Sequence, residues 1–379
     1  MSTTNACCHV LSAEETQIQP SSLRRCSRCV LPHTFPRISF DDQGVCNYCR
    51  EEGAPTALLG EEKLLQVIKA RKQKGSVYDC MVALSGGRDS TYAMYFLARR
   101  LGLKILAYSV DNGFMPAETI SNINNATSIL GVDHVWEKHN ELRLGIKPVL
   151  TAWLHQPRPE MLSSLCLGCR SGFAQGLLRA ARKYKTITVI TGCGEPGSDE
   201  HLGLKFFTAK PFRKPGGAIE LLAGYARELL RNPRYFSTLS VPYLMVKEYS
   251  YKFAPTALLS RIVSPGTRQL GLYRFIPWDE KEITRVICSE LGWTKPSFAS
   301  AAYRSDSEIC ALKSQLYLKT LGFTINDVLV SGMIRKGLLT RAEGLAKLKV
   351  ENVELPNFLV QISNKVGVKI DLNAFGSHF

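Results

Sequence analysis

From about residue 60 onward the apolar positions change period at short intervals, and the changes mark out alternating elements. EEKLLQVIKARKQK (61–74) has the 3.6-residue spacing of an amphipathic helix, and YDCMVAL (78–84) is a short apolar run of strand length. DSTYAMYFLARRLG (89–102) returns to helix, KILAYSV (104–110) to strand, AETISNINNATSILG (117–131) to helix and DHVWEK (133–138) to strand. LLRAARKY followed by KTITVITG, residues 177–192, adds another helix and strand. Strands separated by helices of this length predict an α/β fold, with a parallel, doubly wound sheet and right-handed crossovers. Ligands of such sheets bind at the carboxyl ends of the strands.

Before residue 60 the pattern is different. Residues 1–21 are polar and predict a flexible tail. CSRCVLPHTFPRISFDDQGVCNYC follows, in which Cys26, Cys29, Cys46 and Cys49 have C-x2-C-x16-C-x2-C spacing. Two tight turns that each present two thiolates to one tetrahedral ion predict a zinc-ribbon-like knuckle over 22–58, with RISFDDQGV as a hairpin-like stem. Four thiolates leave no open coordination position, so this Zn2+ is expected to be structural, and His33 is read as a loop residue. Beyond 285 the segments SEICALKSQLYLKTLG, INDVLVSGMIRKG, TRAEGLAKLKV and LPNFLVQISNKVG predict a helical C-terminal region over 286–379. GLYRFIPWDEKEI predicts a short strand and then a helix start at Trp278-Asp279.

Composition changes the picture in two respects. Lys plus Arg number 48 against 33 Asp plus Glu, a formal charge of +15, which favours phosphate-rich or polyanionic partners. The basic residues are spread along the chain, as at Arg24, Arg25, Arg71, Lys72, Arg99, Arg100, Lys210 and Arg213, and form no dense nucleic-acid stripe with interleaved aromatics. No stretch approaches the roughly 20 apolar residues of a membrane span, so no membrane insertion and a cytoplasmic location are expected. In a reducing compartment, the paired cysteines among the twelve point to metal before disulfides.

The candidate chemistry centres on Ser85-Gly86-Gly87-Arg88-Asp89-Ser90, which joins the first strand to the next helix. Glycines permit a tight turn and close backbone approach, serine hydroxyls donate, and a helix N-terminus aims amides and partial positive charge at an anion. A pyrophosphate fits that description, although the Walker A pattern is absent. Gly192-Cys193-Gly194-Glu195-Pro196-Gly197 formally matches G-x-G-x-x-G, but Pro196 and the acidic stretch after it open no helix. It reads as a strand-end loop in which Glu195 and Asp199 either contact substrate or magnesium or are simply solvated. A second pair, Cys166 and Cys169 in SSLCLGCRSGF, precedes a helical stretch. A thiolate there, beside Arg170, is expected to be activated, to carry a persulfide or to bind a cluster. Arg304-Ser305-Asp306 precedes a further helix, where the arginine could grip a phosphate and Asp306 could serve as a cap.

Ser85 to Ser90 resembles the S-G-G-x-D-S loop of the N-type ATP pyrophosphatases, the adenine nucleotide alpha-hydrolase superfamily, whose usual lysine is replaced here by Arg88. The resemblance implies that Ser85, Gly86, Gly87, Arg88, Asp89 and Ser90 cradle the pyrophosphate of ATP. Ala83, Tyr108, Ser109, Val110 and Asp111 of the following AYSVDNG strand end would lie near the adenosine. Residues 59–285 would then be a PP-loop α/β domain using ATP and Mg2+.

CSRCVLPHTFPRISFDDQGVCNYCR, CLGCRSGF, WDEKEITRVICSELGW and MIRKGLLTRAEGLAKL, spread over residues 22 to 365, resemble the N-acetyl sugar amidotransferases of surface-polysaccharide, lipopolysaccharide and nonulosonic-acid pathways. That likeness implies conversion of an acetamido group on a nucleotide-activated sugar into an acetamidino group, with ammonia from a partner glutaminase and Asp89, Cys166 and Cys169 in the catalytic site. Thiolating members of the superfamily also carry a C-x-x-C in this region, in some cases with a third cysteine around an iron-sulfur cluster. For that third ligand Cys193, Cys288 and Cys310 are the candidates, and sulfur transfer to a tRNA base or a small molecule is the alternative function.

Overall fold

Every residue of the first strand is buried, and successive residues face two different cores, so the strand needs cover on both faces. In the computed structural model Cys80 and Val82 of β1 (Cys80–Ala83) face one core, with Leu64, Ile68, Phe96, Ile123, Ile283 and Ile287. Met81 and Ala83 face a second core with Leu177, Ala180 and Ala181. Period-two alternation with apolar residues on both sides is what a sheet between two helix layers requires. Each of these buried aliphatic side chains contributes roughly 1.5–3 kcal/mol relative to exposure. The structure describes residues 23–52, 57–138, 141–192, 202–207, 217–236, 258–299 and 306–370, together with 240, 243–244 and 246–247. The expected tail (1–21), Cys193, Glu195, Asp199, Arg304 and Ser305 lie outside the described residues.

Five parallel strands form one sheet in the order β3-β2-β1-β4-β5. β2 is Ile105–Asp111, β3 Asp133–Lys138, β4 Thr188–Thr191 and β5 Arg268–Gly271. Val82 of β1 pairs with Ala107 of β2 on one side and with Ile190 of β4 on the other. The chain therefore moves outward from β1 in one direction through β2 and β3, then crosses back to add β4 and β5 on the opposite side. The crevice beyond the carboxyl ends of β1 and β4 is the switch point of the sheet, where ligands of open α/β folds bind. The α/β architecture with helices on both faces is as the periodicity predicts. β5 lies slightly N-terminal to the strand read from GLYRFI, because residues 272–274 close into a 3-10 turn.

One long element escaped the pattern. Glu141–His155 is helical in spite of Pro148, and a 3-10 segment, Pro159–Cys166, leads directly into the helix Leu167–Lys183. Trp153, fully buried, donates its indole hydrogen to the Arg158 carbonyl at 2.9 Å and ties these pieces together. The helix start read at Trp278-Asp279 is present: Asp279 caps Glu280–Leu291, accepting from the amides of Lys281 and Glu282.

The C-terminal helices Glu308–Leu321, Ile325–Arg335, Arg341–Glu351 and Pro356–Val366 pack against the cysteine knuckle. Arg341 Nε donates to the carbonyls of both Cys26 and Cys29 at 3.1 Å, and Arg25 pairs with fully buried Asp327 at 2.6 Å. Thr34 Oγ1 donates to Leu321 O, and Val30 is buried with Val330 and Leu348. Among the described residues no helix is long and apolar enough to cross a membrane.

Candidate functional site

The Ser85–Ser90 loop leaves the carboxyl end of β1 and enters the helix that begins at Arg88, beside β4. Gly86 has φ +78, and a methyl group there would meet Thr119 O at 2.7 Å and Ile123 Cγ1 at 2.8 Å; both constraints call for glycine. Gly192, at the end of β4, is tighter still, since its methyl would sit 2.6 Å from Asp89 C and Ser90 N. Ser85 and Ser90 hydroxyls are 3.0 Å apart, Ser90 Oγ donates to Gly87 O, and Trp293 Nε1 donates to Gly86 O. The loop is thus fixed in shape from within and from both flanking elements. No side chain caps the first helical turn, so the helix N-terminus is available to an anion.

Arg88 and Asp89 do not have the disposition that the motif alone suggests. Arg88 is 1% exposed, and its guanidinium donates to both Asp89 oxygens (3.1 and 2.9 Å) and to Glu280 Oε1 (2.6 Å) while lying over the Trp278 ring. Trp278 Nε1 also donates to Asp89 Oδ1 at 3.0 Å. Lys347 reaches Glu280 as well, which ties this cluster to the C-terminal helices. A phosphate contact from the Arg88 side chain is therefore not available in this arrangement, and the pair shapes the loop from beneath it.

Of the residues expected near an adenosine, Tyr108 and Ser109 have their side chains committed inside the protein. Tyr108 donates to Glu137 at 2.6 Å, and Ser109 donates to Leu84 O at 2.6 Å and meets His134 at 2.8 Å. Ala83, Val110 and Asp111 remain at the strand ends. Asp111 Oδ1 accepts the Gly113 amide, forming a tight turn that presents Asn112.

Asn112 joins the carboxyl end of β2 to the second cysteine pair, because its Nδ2 donates to Cys169 Sγ at 3.6 Å. Cys166 precedes the first residue of the helix Leu167–Lys183, and Lys313 Nζ lies 3.7 Å from its sulfur. Cys310 hydrogen-bonds Cys166; that bond and burial push its thiol well above the ordinary range. Burial pushes Cys169 up to about 11, outweighing the Asn112 contact and the nearby Arg170 charge. Desolvation of the charged form at Cys169 thus works against the activation expected beside Arg170. Of the two candidate partners among the described residues, Cys310 lies beside the pair, whereas Cys288 packs into the core on the other face of the sheet; Cys193 lies outside the described residues.

Asp306 completes this region. The cap of the helix Glu308–Leu321 is Ser307, with no side-chain cap bond, so Asp306 is not the cap that the sequence suggests. A methyl group on Gly87 would lie 3.5 Å from Asp306 Cβ and 3.6 Å from its Cγ, which places this acid against the loop. Nothing in the sequence indicated that approach, or the approach of Lys313.

At the knuckle, Cys26 and Cys49 sulfurs are 3.8 Å apart, as are those of Cys29 and Cys46. A tetrahedron with arms of about 2.3 Å, the Zn–S length, has edges of about 3.8 Å, so the four sulfurs fit zinc. Amides of Arg28, Cys29 and Cys46 point at Cys26 Sγ within 3.4 Å. Hydrogen bonds from Cys46 and Cys49 hold Cys29 low, and their bonds to Cys29, with burial and its charge, raise those two thiols; thiolates held this close call for a cation between them. Among the described residues these are the only three or more potential ligands with all donor atoms within 4.8 Å of one another.

The sheet order and the loop at its centre define an α/β protein with a glycine-serine loop at the switch point of its sheet and a four-cysteine cluster that could hold a metal ion. No family model matches the chain. Over 349 residues it is 21% identical to an uncharacterised protein of Methanocaldococcus jannaschii, covering 91% of this chain and 100% of that relative. A stretch of 123 residues is 28% identical to an argininosuccinate synthase of Burkholderia pseudomallei, 32% of this chain and 30% of that enzyme. Among solved structures, NMN synthetase from Francisella tularensis covers 82% of this chain and 95% of its own, with 14% identity and a TM-score of 0.35.

Proposed function

We propose that the protein is an ATP-dependent enzyme that adenylates a carbonyl or amide oxygen and then transfers nitrogen, as an N-acetyl sugar amidotransferase making an acetamidino sugar. The observation that carries this reading is the Ser85–Ser90 loop at the switch point, held rigid by Gly86 and Gly192 and left with an uncapped helix N-terminus. A rigid cradle of backbone amides is suited to a pyrophosphate leaving group, because its donors are oriented before the reaction begins. The partial likeness to an argininosuccinate synthase agrees with a synthetase role.

In the proposed reaction the acetamido oxygen attacks the α-phosphorus of ATP and the P–O bond to pyrophosphate breaks. Ammonia then adds to the activated carbon, the C–O bond to AMP breaks, and an amidine results. An amide oxygen is a poor leaving group, whereas AMP departs readily. The loop backbone would hold the β and γ phosphates, Arg88 and Asp89 would keep it in register, and Asn112 with the Cys166–Cys169 turn would line the acceptor side. Magnesium, when bound with the nucleotide, neutralises phosphate charge. The acceptor would be a nucleotide-activated sugar and the ammonia would come from a glutaminase partner; the zinc of the four-cysteine knuckle is structural.

A second reading rests on the Cys166 environment. Hydrogen bonding to Cys310 and the 3.7 Å approach of Lys313 suit a sulfur-handling thiol, and with it thiolation of a tRNA base or small molecule, through a persulfide or an iron-sulfur cluster at Cys166 and Cys169. The deciding assay is AMP and pyrophosphate release from ATP with an N-acetylated nucleotide sugar, supplied with ammonia or with sulfide. Ammonia-dependent AMP equal to product amidine supports nitrogen transfer; release that requires sulfide overturns it.

A further inference from the structure

Four carboxylates stand near the loop, and their partners differ: Glu280 accepts from Arg88 and Lys347. Both oxygens of Asp89 accept from Arg88, and one also accepts from Trp278. Asp111 Oδ1 accepts the Gly113 amide and shapes its own turn. Asp306 has no hydrogen-bond or ion-pair partner among the described residues, although it is half-buried and close to Gly87. The chain also holds it in place: the Glu308 amide donates to Phe114 O at 2.9 Å, pinning this end of the helix to the loop that follows β2.

A carboxylate that is only partly covered and takes no protein donor keeps its oxygens available to a cation. Magnesium is bound by one or two carboxylates together with nucleotide phosphates, seldom by a closed protein cage. One oxygen-bearing acid next to a pyrophosphate cradle supplies that donor set.

Resting on the nucleotide reading above, we infer that Asp306 is the protein's carboxylate ligand for the divalent cation that accompanies the nucleotide, and that Asp89 is a positioning residue acting through Arg88.

The test is calorimetry on the full-length, zinc-loaded protein with α,β-methylene ATP. It is run with magnesium and in magnesium-depleted buffer free of chelator, so that the knuckle keeps its metal. For wild type, magnesium should tighten binding about tenfold or more. Asp306→Asn should lose that magnesium gain, whatever its affinity in the depleted buffer, and Asp306→Glu should recover part of it. Asp89→Asn should weaken binding equally in both buffers. Quenching of the manganese EPR signal in the presence of the analogue gives a second readout, expected for wild type and lost in Asp306→Asn. An Asp306→Asn protein that keeps the full magnesium gain, or an Asp89→Asn protein that alone loses it, overturns the assignment. If wild type binds no analogue in either buffer, the nucleotide reading itself fails.

Discussion

The chain uses the C-x-x-C spacing three times, and the two regions that contain it behave differently. At the knuckle, four sulfurs lie at tetrahedral-edge distances, are met by backbone amides and are fully or nearly fully buried. At Cys166 and Cys169 the sulfurs meet side chains instead: Asn112, Lys313 and a third thiol, Cys310. Amides arranged around a sulfur are fixed by the fold and serve a permanent charge, whereas amide, ammonium and carboxylate side chains next to a nucleotide loop suit a site where charge comes and goes. Spacing alone does not separate the two cases; what surrounds the sulfurs does.

The largest effect that would sharpen this contrast is metal loss at the knuckle. Structural zinc in small modules is worth on the order of 10 kcal/mol. Cys46→Ser should abolish the one bound zinc and unfold the knuckle with the helices that Arg341 and Asp327 tie to it. Elemental analysis and thermal unfolding measure both; a zinc-free protein with an unchanged melting temperature would break the comparison.

Next in size, Gly192→Ala should separate the regions. Its methyl, 2.6 Å from the Asp89–Ser90 backbone, displaces the loop, and misplacement of about 1 Å costs on the order of 100-fold in rate. Zinc content should stay at wild-type level while ATP-dependent pyrophosphate release falls to that extent.

Smaller effects attend the second pair. Under nitrogen transfer, Cys169→Ala should keep ammonia-dependent AMP release within about tenfold of wild type, since removing one hydrogen-bond contact costs about 1 kcal/mol. Complete loss, with sulfide-dependent turnover in the parent, moves the protein to the sulfur reading. The smallest is a pH effect. With its thiol raised to about 11 against an ordinary value near 9, Cys169 contributes stability present below pH 9 and lost as pH rises towards 11, where the unfolded chain ionises first. Urea titrations at pH 8 and 10 should show a decrease for wild type that is smaller in Cys169→Ala; equal decreases in the two would place the cause elsewhere.

Much of this is legible in the sequence for local reasons. Alternating periods in residues 61–138 and 177–192 predict helices and strands because each element must bury one face, and C-x2-C turns predict their own geometry. The helix over Glu141–His155 is not legible, since Pro148 breaks the pattern and the loss is made good by burial of Trp153. Lys313 and Asp306 are not legible as site residues either. Lys313 lies 147 positions from Cys166, and no local pattern records a contact made through the packing of one helix on a 3-10 segment.

By itself, then, the sequence determined the α/β class, the glycine-serine loop after the first strand and the paired-cysteine spacing, because these depend on residues within a few positions of each other. Only the tertiary structure decided that Arg88 and Asp89 face each other, that Cys310 joins Cys166, and that Asp306 reaches Gly87 without a partner among the described residues. Those arrangements depend on segments distant along the chain, and they are fixed by how the C-terminal helices pack against the sheet end and the knuckle.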